Sequence, residues 1–372
     1  MAKQLRRAEA SWNEKLKRWQ VNVQKEGERK TFVCSTPGRK GKHECEAKAD
    51  KWLESNSAED MRFETAWEQF LAHAKASMQK GGYNNVSSIG KHHMLPKLKK
   101  KRLSKVTPAD FQDCIYALAQ TGAARRTCIN LRACIVSFYR YCRKKRYPLE
   151  EPFDLKIPKN APVGQKKILQ PNDIVTLFTK DTIFRYNRDH EAFFIHAWRL
   201  IVILGLRRGE LCGLRSEDLE NGVLHIQRAI NRLGEETRGK NDNARRYIAL
   251  PDRALSVLED QRNMLKRHGI ISPWLFPDEH GDRLDSNHLY KKWSTFAKQH
   301  DIKTSLHELR HTMISIVKSD MPAPLLKATV GHSETMDTFG VYGHEVDGDL
   351  QRAASIIDNV YNRLLPPAKS AK

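Results

Sequence analysis

Acidic residues are missing from two long intervals of this 372-residue chain: none lies between Glu68 and Asp110, and none between Asp113 and Glu150. No apolar run is long enough to span a bilayer. The most apolar stretch, Ala192 to Leu206, is broken by His196 and Arg199 and reads as a buried core helix. No Gly-x4-Gly-Lys-Ser/Thr loop occurs, so nothing implicates nucleotide hydrolysis. The amino terminus, MAKQLRRAEASWNEK, carries charge without an apolar core, so secretion is not expected. The seven cysteines (Cys34, Cys45, Cys114, Cys128, Cys134, Cys142 and Cys212) form an odd set without a C-x-x-C pair, which suits a reducing cytosol and predicts a cytoplasmic protein. Cys34, His43 and Cys45 match no standard metal-finger spacing.

What remains is strongly basic. Lys and Arg number 65 against 44 acidic residues, a formal charge of +21. Such an excess is evidence for attraction to a polyanion and says nothing about fold. The length predicts roughly two to three domains.

Residues 1–56 predict a small β-sheet with one packing helix. KRWQVNV and RKTFVCS alternate around a KEGE turn, and Cys45, Ala49, Trp52 and Leu53 share one helical face. This unit is either a solvated appendage or a sheet that enters a DNA groove. Residues 57–157 predict an all-helical domain. Phe63, Trp67, Phe70, Leu71 and Ala74 form one stripe, with Gly81-Gly82 ending that helix, and Cys128, Leu131, Ile135, Phe138 and Cys142 form another. Lys99, Lys100, Lys101 and Arg102, with Arg125, Arg126 and Arg132 mostly off the second stripe, supply a cationic face for DNA phosphates. Residues 158–167 read as a basic linker. Residues 168–372 predict a mixed, mainly helical domain with a small antiparallel sheet. Within it a helix starts at Asn172 or Asp173, INRLGEETRGKNDNARRYIALP forms a hairpin with Lys240 near its turn, and Asp252–His268, Ser286–Gln299 and the segment from Asp349 are amphipathic helices. The fold class is thus multidomain α+β.

The stretch from Ser305 to Tyr342 carries two chemistries. His307-Glu308-Leu309-Arg310-His311 matches H-E-x-x-H, two zinc ligands and a base on one helix face, with Glu334 within reach as a third ligand. His307-x-x-Arg310 followed by Gly331-His332 and Tyr342 offers a cationic phosphate clamp with a nucleophilic phenol. A peptidase has no evident use for the charge or the two cationic helices.

Arg207 within LGLRRGEL, His307-x-x-Arg310, Gly331-His332 and Tyr342 within VYGH stand in the order and approximate spacing of the tyrosine recombinase (phage integrase) family, which the chain resembles over nearly its whole length. The ten-residue step from His332 to Tyr342 is most like that of conjugative-transposon integrases. The resemblance implies arm-binding, core-binding and catalytic domains in that order, and a site-specific recombinase of a mobile element that needs neither metal nor other cofactor. It further implies that Tyr342 attacks phosphorus to form a 3′-phosphotyrosyl link, that Arg207 and Arg310 hold the non-bridging oxygens, and that Lys240 protonates the leaving 5′-oxygen. His307 would relay the nucleophile's proton and His332 would hold a phosphate oxygen. Glu210 is read as a helix-positioning carboxylate and His311 as structural. Implied partners are double-stranded DNA, a homotetramer joined by its carboxy-terminal helices, an excision factor and a host DNA-bending protein, with no membrane. A chromosome-dimer resolvase shares the chemistry but lacks the amino-terminal β-rich unit, and a noncatalytic DNA-binding protein would lack the dispersed residues.

Overall fold

The computed structural model describes residues 9–25, 28–54, 61–237, 245–331 and 348–365. It divides into two compact units, Met1–Gly164 and Gln165–Lys372.

In the first unit β1 (Ser11–Asn13), β2 (Arg18–Lys25) and β3 (Glu28–Cys34) form an antiparallel sheet in the order β1-β2-β3. The alternation in β2 turns Val21 and Val23 inward, where Cys45 and Ala49 of α1 (Gly38–Glu54) cover them. A second, separate core begins at α2 (Phe63–Ser77), whose aromatic stripe meets that of α6 (Arg125–Lys144). The Phe138 ring lies 5.1 Å from Phe63, 5.3 Å from Trp67 and 5.6 Å from Phe70. Gly81-Gly82 does not end α2 as expected; the helix stops at Met78, and both glycines lie inside α3 (Lys80–Ile89). Each glycine costs about 1 kcal/mol in a helix interior, a weak preference that packing overrides. The anchor is Gly90, just beyond α3, where a Cβ would stand 2.0 Å from the Trp67 ring. The chain continues through a wide helical turn at Gly90–Met94 into α4 (Leu95–Leu98) and, after a short loop, α5 (Pro108–Gln120), capped by Asp110, which accepts the Thr107 N–H at 3.0 Å. The residues read as a linker are fastened to α6 at their start: Pro162 O accepts the Arg125 N–H at 2.7 Å, and Pro158 O accepts from its guanidinium at 3.2 Å.

The second unit is built around α8 (Ile195–Leu204), every residue of which is buried. His196 and Arg199 do not expose the helix; Arg199 donates to Leu177 O at 2.9 Å and pairs with Asp181. Before it stand α7 (Pro171–Thr179) and an unexpected hairpin, β4 (Thr182–Arg185) and β5 (Arg188–Glu191). After it come α9 (Arg208–Leu211) and a sheet of β6 (Leu219–Glu220), β7 (Val223–Ile226) and β10 (Arg246–Ala249) in the order β10-β7-β6. The single long hairpin expected over 230–251 is divided. Asn231 accepts the N–H groups of Leu233 and Glu235 at 2.8 and 3.0 Å, closing an early turn between β8 (Ala229–Ile230) and β9 (Glu236–Thr237), while β10 pairs with β7.

The helices α10 (Asp252–Arg267), α11 (Ser286–Gln299), α12 (Leu306–Val317), α13 (Ala323–Val330) and α14 (Asp349–Leu364) complete the unit. The apolar stripe of α14 is seated on its own unit: Ala353, Ile357, Val360 and Tyr361 are buried in the core, the Tyr361 hydroxyl donates to Val202 O at 2.5 Å, and Asp358 accepts the Asp252 and Arg253 N–H groups at the start of α10.

Candidate active site

The site grows from α12. Its first turn is capped by Glu308, whose carboxylate accepts the Ser305 N–H at 2.6 Å and the Lys167 N–H at 2.8 Å. One turn on, Thr312 accepts the Leu169 N–H at 2.9 Å, so the strand-like entry to the unit is strapped along the helix. Arg310 lies on the inner face and is 3% exposed, whereas His307 is on the surface. The His307 and His311 rings meet edge to face at 4.8 Å.

Arg310 forks onto two helix ends. Its Nη1 donates to Gly205 O at 2.7 Å and its Nη2 to Val330 O at 2.8 Å. Gly205 closes α8 with φ +64°, and a Cβ there would stand 3.2 Å from both Met313 and Val330, so backbone conformation and close packing both call for glycine. The turn places Arg207 two residues later as the N-cap of α9. Arg207 donates its N–H to Glu210 at 2.9 Å, its Nη1 to Glu210 at 2.6 Å and its Nη2 to Gly331 O at 2.7 Å.

A third arginine completes the arrangement. From β10, Arg246 donates Nε to Thr329 O at 2.8 Å and its terminal nitrogens to the two Glu210 oxygens at 3.3 and 3.0 Å. The consecutive carbonyls of Thr329, Val330 and Gly331 thus each accept from a different arginine. They form the carboxy-terminal end of α13, where helix carbonyls lack intrahelical partners and the helix dipole is negative.

Charge in this cluster is unbalanced toward the cation. Burial tends to raise the Glu210 pKa, but the charge and hydrogen bonds of Arg246, the Arg207 N–H and the Arg207 charge outweigh it and hold the carboxylate ionised. Burial, then the neighbouring Arg207, pulls Arg310 down to about 10 against the opposing effect of Glu210. His307 is held below its ordinary value by burial, His311, Arg310, Lys166 and Arg208, and His311 by burial, Lys166 and Arg310. Both imidazoles are therefore neutral near pH 7.

The structure brings Arg207 and Arg310 together at the end of α13, and His307 lies one turn before Arg310 on α12, close enough to Arg310 and Arg208 to feel their charge. Lys240, His332 and Tyr342 lie outside the described residues, as does Glu334. The zinc reading of HELRH finds no support: Glu308, its base, is committed to capping α12 and holding Lys167. Sequence reasoning did not single out Arg246, Arg208 or Lys166. For Arg246 there was a signal, since it shares the inward face of β10 with buried Ile248.

Of the residues expected to contact DNA, Lys99, Lys100, Arg126 and Arg132 are exposed. Lys101 is exposed too, but pairs with Asp110. Arg102 is half-buried, and Arg125 and Arg132 donate to Pro158 O and Leu155 O at 3.2 and 3.4 Å. Among the described residues no helix is long and apolar enough to cross a membrane.

Comparison with known proteins identifies the family. The phage integrase family model matches residues 168–348, and the phage integrase N-terminal SAM-like domain matches residues 62–119, together well over half of the chain. An integrase of Streptomyces ambofaciens is 24% identical over 328 residues, covering 79% of each chain. Tyrosine recombinase XerD of Staphylococcus saprophyticus is 21% identical, over 72% of this chain and 87% of its own. In fold, the Tn1549 transposon integrase in complex with transposon right-end DNA is similar with a TM-score of 0.63 at 18% identity, over 79% of this chain and 98% of that one. A lambda integrase tetramer bound to a Holliday junction gives 0.59 at 14% identity, over 90% and 99%. The chain therefore belongs to the phage integrase family, the tyrosine recombinases, and is a DNA strand transferase of that class.

Proposed function

We propose that the protein integrates and excises a mobile genetic element, cutting and rejoining DNA through a 3′-phosphotyrosyl intermediate. The observation that carries this reading is the convergence of Arg207 and Arg310 on the last carbonyls of α13, immediately before His332 and upstream of Tyr342. The Tyr342 oxygen attacks phosphorus and the P–O5′ bond breaks; His307 takes the phenolic proton and Lys240 protonates the leaving oxygen. Arg207 and Arg310 neutralise charge on the non-bridging oxygens, for which a planar guanidinium is well shaped, and His332 adds a hydrogen bond. The energy of the broken bond is kept in the phosphotyrosyl link.

Double-stranded DNA is the substrate, with Lys99, Lys100, Lys101, Arg102, Arg125, Arg126 and Arg132 contacting its backbone. Residues 1–56, 57–157 and 168–372 serve as arm-binding, core-binding and catalytic domains. Strand exchange takes place in a tetramer, where α14 exchanges its cis seat for the same contacts on a neighbour. An excision factor and a DNA-bending protein set direction.

The test is a plasmid carrying both flanks of the genomic segment that holds the gene, incubated with the protein, an extract of host cells to supply accessory factors, and EDTA. Excision of the intervening DNA is expected. Action confined to a chromosomal site unrelated to those flanks would instead favour a chromosome-dimer resolvase, the reading that the XerD similarity keeps in view.

The pH dependence has a defined sign. A proton acceptor must be neutral, and partial burial, then His311 and the cationic neighbours, hold His307 below its ordinary value. The single-turnover cleavage rate is therefore expected to fall in acid with a midpoint below the ordinary histidine value. A decline centred at or above the ordinary value would count against His307 as acceptor.

A further inference from the structure

We infer that Arg246 is a positioning residue for the phosphate clamp, holding Arg207 and Arg310 in register through Glu210 and the end of α13. This rests on the reading of Arg207 and Arg310 as the groups that bind the scissile phosphate.

Arg246 is buried, and all three of its guanidinium nitrogens are engaged, by Glu210 and Thr329 O. Among the described residues its guanidinium has two kinds of partner. Two nitrogens face the two oxygens of Glu210, at 3.3 and 3.0 Å, and those oxygens also receive the Arg207 Nη1 at 2.6 Å and N–H at 2.9 Å. The remaining Nε takes Thr329 O, one residue before the carbonyl that Arg310 uses and two before the one that Arg207 uses. Arg246 therefore touches both supports of the clamp, the carboxylate beneath Arg207 and the helix end shared by all three arginines.

Without Arg246, Glu210 would face Arg207 alone and could rotate toward it, and the α13 terminus would lose one of its three donors. Both changes move the clamp guanidiniums relative to the phosphate and to each other. Lysine cannot replace Arg246, since an ammonium is a point charge that cannot span Glu210 and Thr329 O with a planar fork. The residue sits on β10, paired to β7 through Ile226, so the position is set by the sheet and not by a loop.

Displacement of a reacting group by about 1 Å can cost ~10²-fold in rate. Arg246→Met and Arg246→Lys are accordingly expected to slow single-turnover cleavage of a nicked DNA substrate by ~10²-fold with DNA affinity unchanged. Arg246→Lys retains a cation opposite Glu210 and serves if Arg246→Met does not fold.

A plain loss of rate would not separate positioning from general structural damage, so each variant is compared on two substrates. One carries the normal scissile phosphodiester; the other carries a methylphosphonate, in which a methyl group replaces one non-bridging oxygen and removes the negative charge. A defect in charge neutralisation shrinks on the neutral substrate, whereas a defect in folding or DNA binding is the same on both. The Arg246 variants should recover on the methylphosphonate in parallel with Arg207→Ala. If Arg207→Ala recovers and both Arg246 variants do not, the positioning role is wrong and the clamp stands. If Arg207→Ala also fails to recover, the clamp reading falls and the role of Arg246 with it.

Discussion

Replacing Glu210 with alanine is expected to destabilise the carboxy-terminal unit by about 3–5 kcal/mol, the usual cost of removing one member of a buried ion pair. The carboxylate is 1% exposed and is shared by Arg207 and Arg246, so its loss leaves Arg246 buried without its counter-charge and removes two hydrogen bonds from Arg207. For a unit of this size the unfolding midpoint should fall by roughly 6–20 °C. Glu210→Gln keeps acceptor capacity but not charge, and should fall between wild type and alanine. The pH dependence follows from the depressed pKa of Glu210 in the folded chain. Its contribution is fully present above the unfolded carboxylate value and is lost as pH falls through the lower folded value. Wild type should therefore lose stability in acid through this group, while Glu210→Gln should not. Calorimetry across pH checks both, and equal midpoints for wild type and Glu210→Ala at neutral pH would refute the shared-carboxylate account.

Removing either clamp arginine is expected to cost ~10²–10³ in the rate of strand cleavage, the usual loss for one preorganised donor to a developing charge. The two should differ in stability. Arg207 is a quarter exposed and its alanine variant leaves Arg246 to compensate Glu210. Arg310 is buried and joins Gly205 O to Val330 O, so Arg310→Ala leaves two buried carbonyls without their donor and should also lower the melting temperature. Because the two arginines act on one phosphate, the double variant should lose less than the product of the single losses. Rates from single-turnover cleavage, paired with DNA affinity, test this; losses wholly in affinity would contradict a role in the chemical step.

Helices with a strong buried stripe were legible in the sequence. The limits Ser286–Gln299 of α11 are those its pattern predicts, and α10 differs from expectation by one residue, because each has an apolar face at helical spacing. The hairpin β4-β5 was not legible, since its side chains are mostly exposed and burial imposes no alternation. Gly81-Gly82 misled because tertiary packing at Gly90 and Trp67 outweighs a local preference. In the candidate site, Arg207, His307 and Arg310 were singled out through their motifs, and Glu210 as a positioning carboxylate. What escaped was the role of backbone: the acceptors at Thr329, Val330 and Gly331 are carbonyls, which every residue type carries, so no residue pattern announces them. Arg246 escaped with them, because its partners among the described residues are a carbonyl and a carboxylate 83 and 36 positions away.

The most direct measurement is a nicked suicide DNA substrate incubated with the protein in EDTA, with covalent protein–DNA adducts resolved on a denaturing gel. Wild type should accumulate an adduct through Tyr342 with no metal present, and Tyr342→Phe should form none while binding the same DNA. An adduct that persists in Tyr342→Phe, or one that forms in wild type only when a divalent metal is supplied, would contradict the account.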